Sequence, residues 1–151
     1  MTLVELMVAL AIMALLLTLT RVALDGVSAE WRLRAAAHQV ENVVRWAQNA
    51  AVTEARPVQV LYNVPAGSWC VRIGDETFTL QKLPGGVSFE SVRFSTGIDV
   101  FQDVAAVGVF PDGTLDSHEV NLLGPSKERV RIAFDRLTGE AEYEEGSSAP
   151  R

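Results

Sequence analysis

The sequence predicts an α+β fold in which one long N-terminal helix packs on an antiparallel β-sheet domain. Three observations predict this architecture. Residues 6–20 contain no charged side chain. Apolar residues then recur at three- and four-residue steps up to residue 56 with no proline, which is the spacing of a helix face. From Pro57 onward, apolar and polar residues alternate between turns rich in Pro and Gly, which is typical of strands.

The first segment, residues 1–24, is predicted to be a hydrophobic transmembrane and assembly helix. A secretory signal peptide would begin with basic residues, whereas Glu5 is the only charged side chain among the first twenty residues. A surface helix of a small domain would have a polar face, but this segment has apolar residues on every face. Twenty helical residues rise roughly 30 Å, which matches the hydrocarbon thickness of a bilayer. A purely soluble chain is therefore disfavoured.

Glu5 interrupts this apolar segment close to its start. A carboxylate within the hydrocarbon region is costly, so such residues are rare and usually have a partner. Two interpretations remain open. Either Glu5 lies at the membrane interface within reach of water, or it meets a cation from another copy or another subunit.

The second segment, residues 25–56, is predicted to be an amphipathic helix that ends near Pro57. It consists mostly of good helix formers, and Gly26 is its weakest point. Trp31 and Trp46 are predicted to make packing or interfacial contacts rather than to stack on a ligand, because aromatic residues at helical spacing are usually structural. The predicted apolar face comprises Leu33, Ala36, Ala37, Val40, Val43, Val44, Ala47, Ala50 and Ala51.

Residues 57–145 are predicted to form an antiparallel β domain, and residues 146–151 a flexible tail. The acidic strand at 140–145 is predicted to be a solvated edge, since charges on an edge block unwanted strand addition. The predicted strands are separated by turns that contain Pro, Gly or Asp, and they cover residues 58–64, 69–73, 77–83, 87–94, 104–110, 119–123, 129–135 and 140–145.

The charge distribution disfavours nucleic-acid binding. Of the 13 basic and 19 acidic residues, five of each precede Pro57, so the β domain and tail carry the whole net charge of −6. The isoelectric point of about 4.9 does not fit a protein that relies on a basic footprint. No nucleic-acid partner is therefore expected.

The sequence contains no recognisable catalytic, cofactor-binding or metal-binding motif, so it predicts no enzyme and no cofactor. His38 and His118 have no ligand or base constellation at a suitable spacing. His38 is predicted to be solvated or to lie at an interface, and His118, beside a turn, to be solvated. The segment 112–116 contains only a fragment of a calcium-binding loop and is better explained as a turn. The lone Cys70 excludes an intrachain disulfide and is predicted to be a small buried hydrophobe.

The N-terminal sequence Met1-Thr2-Leu3-Val4-Glu5-Leu6, followed by the apolar run, resembles the start of a mature type IV pilin or type II secretion pseudopilin. The resemblance implies that a prepilin peptidase removes a short basic leader and methylates the new N-terminus at Met1. It also implies that Glu5 pairs with the N-terminal amine of a neighbouring subunit during assembly. The family usually has Phe first, so either Met1 is the first mature residue or it replaces a leader absent from this chain.

The rest of the chain resembles the H-type minor pseudopilins and the related FimT minor pilins, the GspH/FimT family. The resemblance rests on residues 43–52 followed by 57–60, and on two late turns at 110–114 and 138–141. It implies a pilin-like fold and a minor pseudopilin of a type II secretion system, anchored once in the bacterial inner membrane with a periplasmic domain. The implied partners are the major pseudopilin, the minor pseudopilins of the filament tip, the prepilin peptidase and membrane lipid. The alternative is a FimT-like minor pilin that acts in pilus assembly or DNA uptake.

Overall fold

The computed structural model describes residues 3–146, except for the side chains of residues 15–28, 79 and 145. The predicted methylated residue, Met1, and residues 147–151 of the predicted tail lie outside the described part of the chain. Gly146, which was assigned to the tail, instead ends the last strand.

The described chain begins with one continuous helix, α1 (Leu3–Glu54), of 52 residues. It ends where the sequence predicts, because Ala55 takes up a left-handed conformation with φ 50° and Pro57 follows. The Arg56 N–H donates to the carbonyl of Ala51 at 3.3 Å and satisfies one of the last helical acceptors.

Nine strands follow, and they form two antiparallel sheets instead of the single sheet that the sequence suggested. The four-stranded sheet has the order β3-β2-β1-β6, and the five-stranded sheet has the order β5-β4-β7-β8-β9. The two-residue strand β5 was not predicted. The strands are β1 (Val58–Asn63), β2 (Ser68–Ile73), β3 (Glu76–Lys82), β4 (Ser88–Phe94), β5 (Asp99–Val100), β6 (Val104–Val109), β7 (His118–Leu123), β8 (Arg129–Phe134) and β9 (Ala141–Gly146).

The core lies between α1 and the inner faces of both sheets. The predicted apolar face of the helix is confirmed: seven of its residues are buried, and Val43 and Ala50 pack partly buried against them. In β1, the buried residues Val58, Val60 and Tyr62 alternate with half-buried ones, as the period-two pattern requires. Burial of each large apolar side chain here contributes about 1.5–3 kcal/mol, which makes the contact between α1 and the two sheets the main source of stability.

The two sheets are joined at the β6 edge, where Gly108 and Asp116 exchange hydrogen bonds. The Asp116 N–H donates to the Gly108 carbonyl at 2.9 Å, and the Gly108 N–H donates to Asp116 Oδ2, also at 2.9 Å. A Cβ at position 108 would lie 2.8 Å from that oxygen, so glycine leaves room for the pair. The segment that leads into β7 therefore pairs with the free edge of β6 at this point.

His118 is buried, so the prediction of a solvated histidine is wrong. The sequence pattern placed the start of the strand at residue 119, whereas β7 begins at His118 and turns it inward in alternation with Val120 and Leu122. His118 is only 1% exposed and stacks on Phe134 with ring centroids 4.7 Å apart. It continues a chain of rings through the core that also includes Tyr62.

Cys70 is half-buried and not buried as predicted. Its neighbours in β2, Trp69 and Val71, point into the core, which leaves Cys70 on the outer face of the four-stranded sheet. It lies opposite Leu61 in the register of β1 and β2.

Candidate functional site

The N-terminal end of α1 exposes apolar side chains on all sides. Leu3 is 78% exposed, and the other large apolar residues as far as Met13 are between 50% and 68% exposed. Glu5 lies in the first turn of this segment. Residues 3–14 are hereafter called the assembly segment. Water leaves an apolar surface of this extent unfavourably hydrated, so the segment is a candidate contact surface.

No helix built from the described residues is long and apolar enough to cross a membrane. The side chains of residues 15–28, on which the predicted transmembrane segment also depends, lie outside the described part of the chain.

The second half of α1 is fixed to the β domain through Gln48. Its side-chain amide donates to the carbonyl of Gly113 at 3.0 Å. It also lies against Gly139, where a Cβ would come within 2.1 Å of Gln48 Nε2. Both glycines have positive φ, 85° and 66°, and each belongs to one of the two late turns that carry the family resemblance. Gln48 therefore connects both turns to the helix, a role that the sequence analysis missed.

Replacing Gln48 with alanine is expected to destabilise the β domain by about 1–2 kcal/mol, because it leaves the part-buried Gly113 carbonyl without its donor. The loss would appear as a lower midpoint in chemical unfolding of the detergent-solubilised chain. The control is Asn49→Ala, at the exposed neighbouring position. Equal effects of the two substitutions would contradict the proposed connection.

A polar cluster attaches the acidic edge strand β9 to the helix. The Tyr143 hydroxyl donates to Glu41 Oε2, and Arg45 forms an ion pair with Glu41 Oε1 at 2.6 Å. His38 Nδ1 lies 3.5 Å from Glu41. The hydrogen bond from Tyr143 lowers the pKa of Glu41, while burial and the contact with Glu41 raise the pKa of Tyr143. His38 is exposed, as predicted, and takes part in this cluster.

The outer face of the five-stranded sheet has paired charges. Arg129 lies 2.7 Å from Glu90, and Arg131 lies 3.3 Å from Glu144 and 3.8 Å from Glu119. These pairs are partly exposed, so each contributes little to stability. The order of the strands places β9 at the edge, which confirms the prediction that the acidic strand is an edge.

The described side chains do not bring the two histidines of the sequence together in one site. Among the described side chains, no group of three or more metal-binding residues is close enough to hold an ion. His38 and His118 lie in different environments, one on the exposed helix face and one in the core. Neither Trp31, 69% exposed, nor Trp46, 46% exposed, is buried in the core of this chain. The candidate functional site is therefore the assembly segment, presented by a helix that the β domain holds in place.

Comparison with solved structures identifies the fold. A structure of the minor pseudopilin EpsH from the type 2 secretion system of Vibrio cholerae matches with a TM-score of 0.54 at 12% sequence identity, over 76% of this chain and 97% of that chain. A second crystal structure of EpsH matches with a TM-score of 0.58 at 11% identity, over 78% and 97%. Neither a protein-family model nor a curated protein sequence matches the chain. The chain therefore has the fold of the minor pseudopilin EpsH.

Proposed function

We propose that this chain is a minor pseudopilin, a structural subunit of a type II secretion pseudopilus. The observation that carries the proposal is the combination of the EpsH fold with an exposed apolar helix that has Glu5 in its first turn. EpsH is described as a minor pseudopilin of a type II secretion system. The function is assembly by helix burial and domain docking, without turnover of a substrate.

We further propose that residues 1–24 anchor the chain once in the inner membrane before assembly, with the β domain in the periplasm. The uncharged run at 6–20 and the exposure of the assembly segment support this proposal. A prepilin peptidase would process the N-terminus and methylate Met1, as the N-terminal resemblance implies. The same apolar surface would first contact lipid and later the helices of the major pseudopilin and of the other minor pseudopilins.

The proposal is tested by deleting the gene in its native host and measuring secretion and filament composition. Loss of secreted proteins from the medium, restored by the wild-type gene, is the expected result. The tagged chain should also copurify with sheared pseudopili. Normal secretion combined with loss of surface pili or of DNA uptake would contradict the proposal and favour the FimT-like alternative.

Duplex DNA binding is expected to be negligible at moderate salt. Sequence-independent binding to DNA depends on clustered cations, whereas the residues from Pro57 onward carry the net charge of −6. The measurement is a gel shift with the detergent-solubilised chain at two salt concentrations. A clear shift that weakens as salt increases would overturn this expectation and raise the rank of a DNA-uptake pilin.

A further inference from the structure

A groove of about 390 Å³ runs between α1 and the outer part of the four-stranded sheet. Its floor consists of Trp69 and Val71, each 1% exposed, and one wall is the half-exposed indole of Trp46. Side-chain amides form its rim: Gln39 and Asn42 from the helix and Gln81 from β3. The groove thus combines one accessible aromatic ring with several hydrogen-bonding groups, which is the usual make-up of a small-molecule site.

The chemistry of the lining restricts the possible ligands. None of the described residues that line the groove is charged, which disfavours phosphates, carboxylates and cations. The amides at the rim need hydrogen-bond partners when water is displaced, which disfavours a purely apolar ligand. No described group bonds to the side chains of Gln39, Asn42 or Gln81, so their donors and acceptors are available to a ligand.

An added peptide strand also fits poorly here. The register between β2 and β3 shifts between Trp69 and Val71, so that residues 79 and 80 together oppose Cys70. Such a bulge bends the edge strand and disturbs the regular row of backbone groups that strand addition requires. The edge beside the groove is therefore protected against a partner strand.

We propose that this groove binds a neutral oligosaccharide, with the apolar face of one sugar ring stacked on Trp46. Hydroxyl and acetamido groups have the same mixed donor and acceptor character as the carboxamides of Gln39, Asn42 and Gln81. An indole and a sugar ring match in size, and each presents a flat apolar face. The site is independent of the assembly segment, so the proposed function as a pseudopilin does not depend on it.

The test is a titration of tryptophan fluorescence with N-acetylglucosamine trimer and with maltotriose, on the full chain in a detergent without sugar groups. The fluorescence change is expected to saturate, with half-saturation at about 1 mM sugar for one weak site. Trp46→Ala should abolish the change, and Gln81→Ala should weaken it severalfold. Trp31→Ala is the matched control, because Trp31 is an exposed tryptophan on the same helix outside the groove.

Several results would overturn the proposal. One is the absence of any saturable change up to tenfold above the expected half-saturation, and another is an unchanged titration in Trp46→Ala. A loss in Trp31→Ala equal to that in Trp46→Ala would show non-specific contact. Near-ultraviolet circular dichroism of Trp46→Ala, expected to retain the signal of buried Trp69, establishes that the fold is intact.

Discussion

Acidification from pH 7 to pH 4 is expected to lower the free energy of unfolding by about 3 kcal/mol through His118 alone. Burial lowers the pKa of His118 to about 4, from an ordinary value near 6.5. Its Nδ1–H donates to the Asp116 carbonyl at 2.7 Å, which leaves Nε2 as the buried acceptor of the neutral ring. No described group bonds to Nε2, and the hydroxyl of the adjacent Tyr62 is likewise buried without a partner.

The direction of the effect follows from proton binding in the two states. Above about pH 6.5 His118 is neutral both folded and unfolded, so its contribution is constant. Between pH 6.5 and 4 only the unfolded chain takes up this proton, and stability falls as the pH falls. The pKa values of Glu41, Asp99, Asp112 and Asp135 are also lowered, so these carboxylates reduce stability only as the pH approaches and passes below their ordinary values, 4.5 for Glu41 and 3.8 for the aspartates. The window above pH 5 therefore reports mainly on the histidine.

Equilibrium unfolding at several pH values measures this contribution, with the signal of buried Trp69 as the probe. The variant His118→Phe keeps a ring against Phe134 and removes the titrating group, so its stability should be almost constant from pH 6.5 to pH 5. The wild type, measured in parallel, should lose stability steadily over the same interval. An identical slope in the wild type and His118→Phe would disprove the assignment.

His118 and Gln48 mark the limit of what the sequence could predict. Periodicity fixes which face of α1 and of each long strand is buried, because those patterns repeat over several residues. It could not place His118, because the alternation of faces applies only within a strand and the pattern did not show that the strand begins before residue 119. Gln48 contacts Gly113, 65 positions away in the chain, and no local pattern reports such a contact. The division into two sheets likewise depends on pairing between strands that are distant in the chain. Strand β5 has only two residues, too few to show an alternating pattern.

The assembly role of Glu5 stays a prediction from the sequence, and it rests on a local signal: a single carboxylate before an uncharged run. The structure places Glu5 in the first turn of α1, among apolar side chains that are all at least half exposed. In a filament these side chains would be enclosed by neighbouring helices, and Glu5 would be enclosed with them. We propose that it then pairs with the N-terminal amine of the adjacent subunit.

Replacing Glu5 with alanine is expected to reduce incorporation into pseudopili, and secretion with it, by at least about tenfold. Removing one member of an enclosed ion pair leaves the other charge uncompensated, at a cost of about 3–5 kcal/mol, which is more than a tenfold change requires. Glu5→Gln should fail similarly, since it keeps the size and loses the charge, whereas Glu5→Asp should retain part of the function. Glu54→Ala, at the opposite end of the same helix, is the matched control and should behave as wild type. The readouts are the amount of the chain in sheared filaments and the amount remaining in the membrane. Loss from filaments with an unchanged membrane fraction shows an assembly defect, and wild-type incorporation of Glu5→Gln would exclude charge pairing.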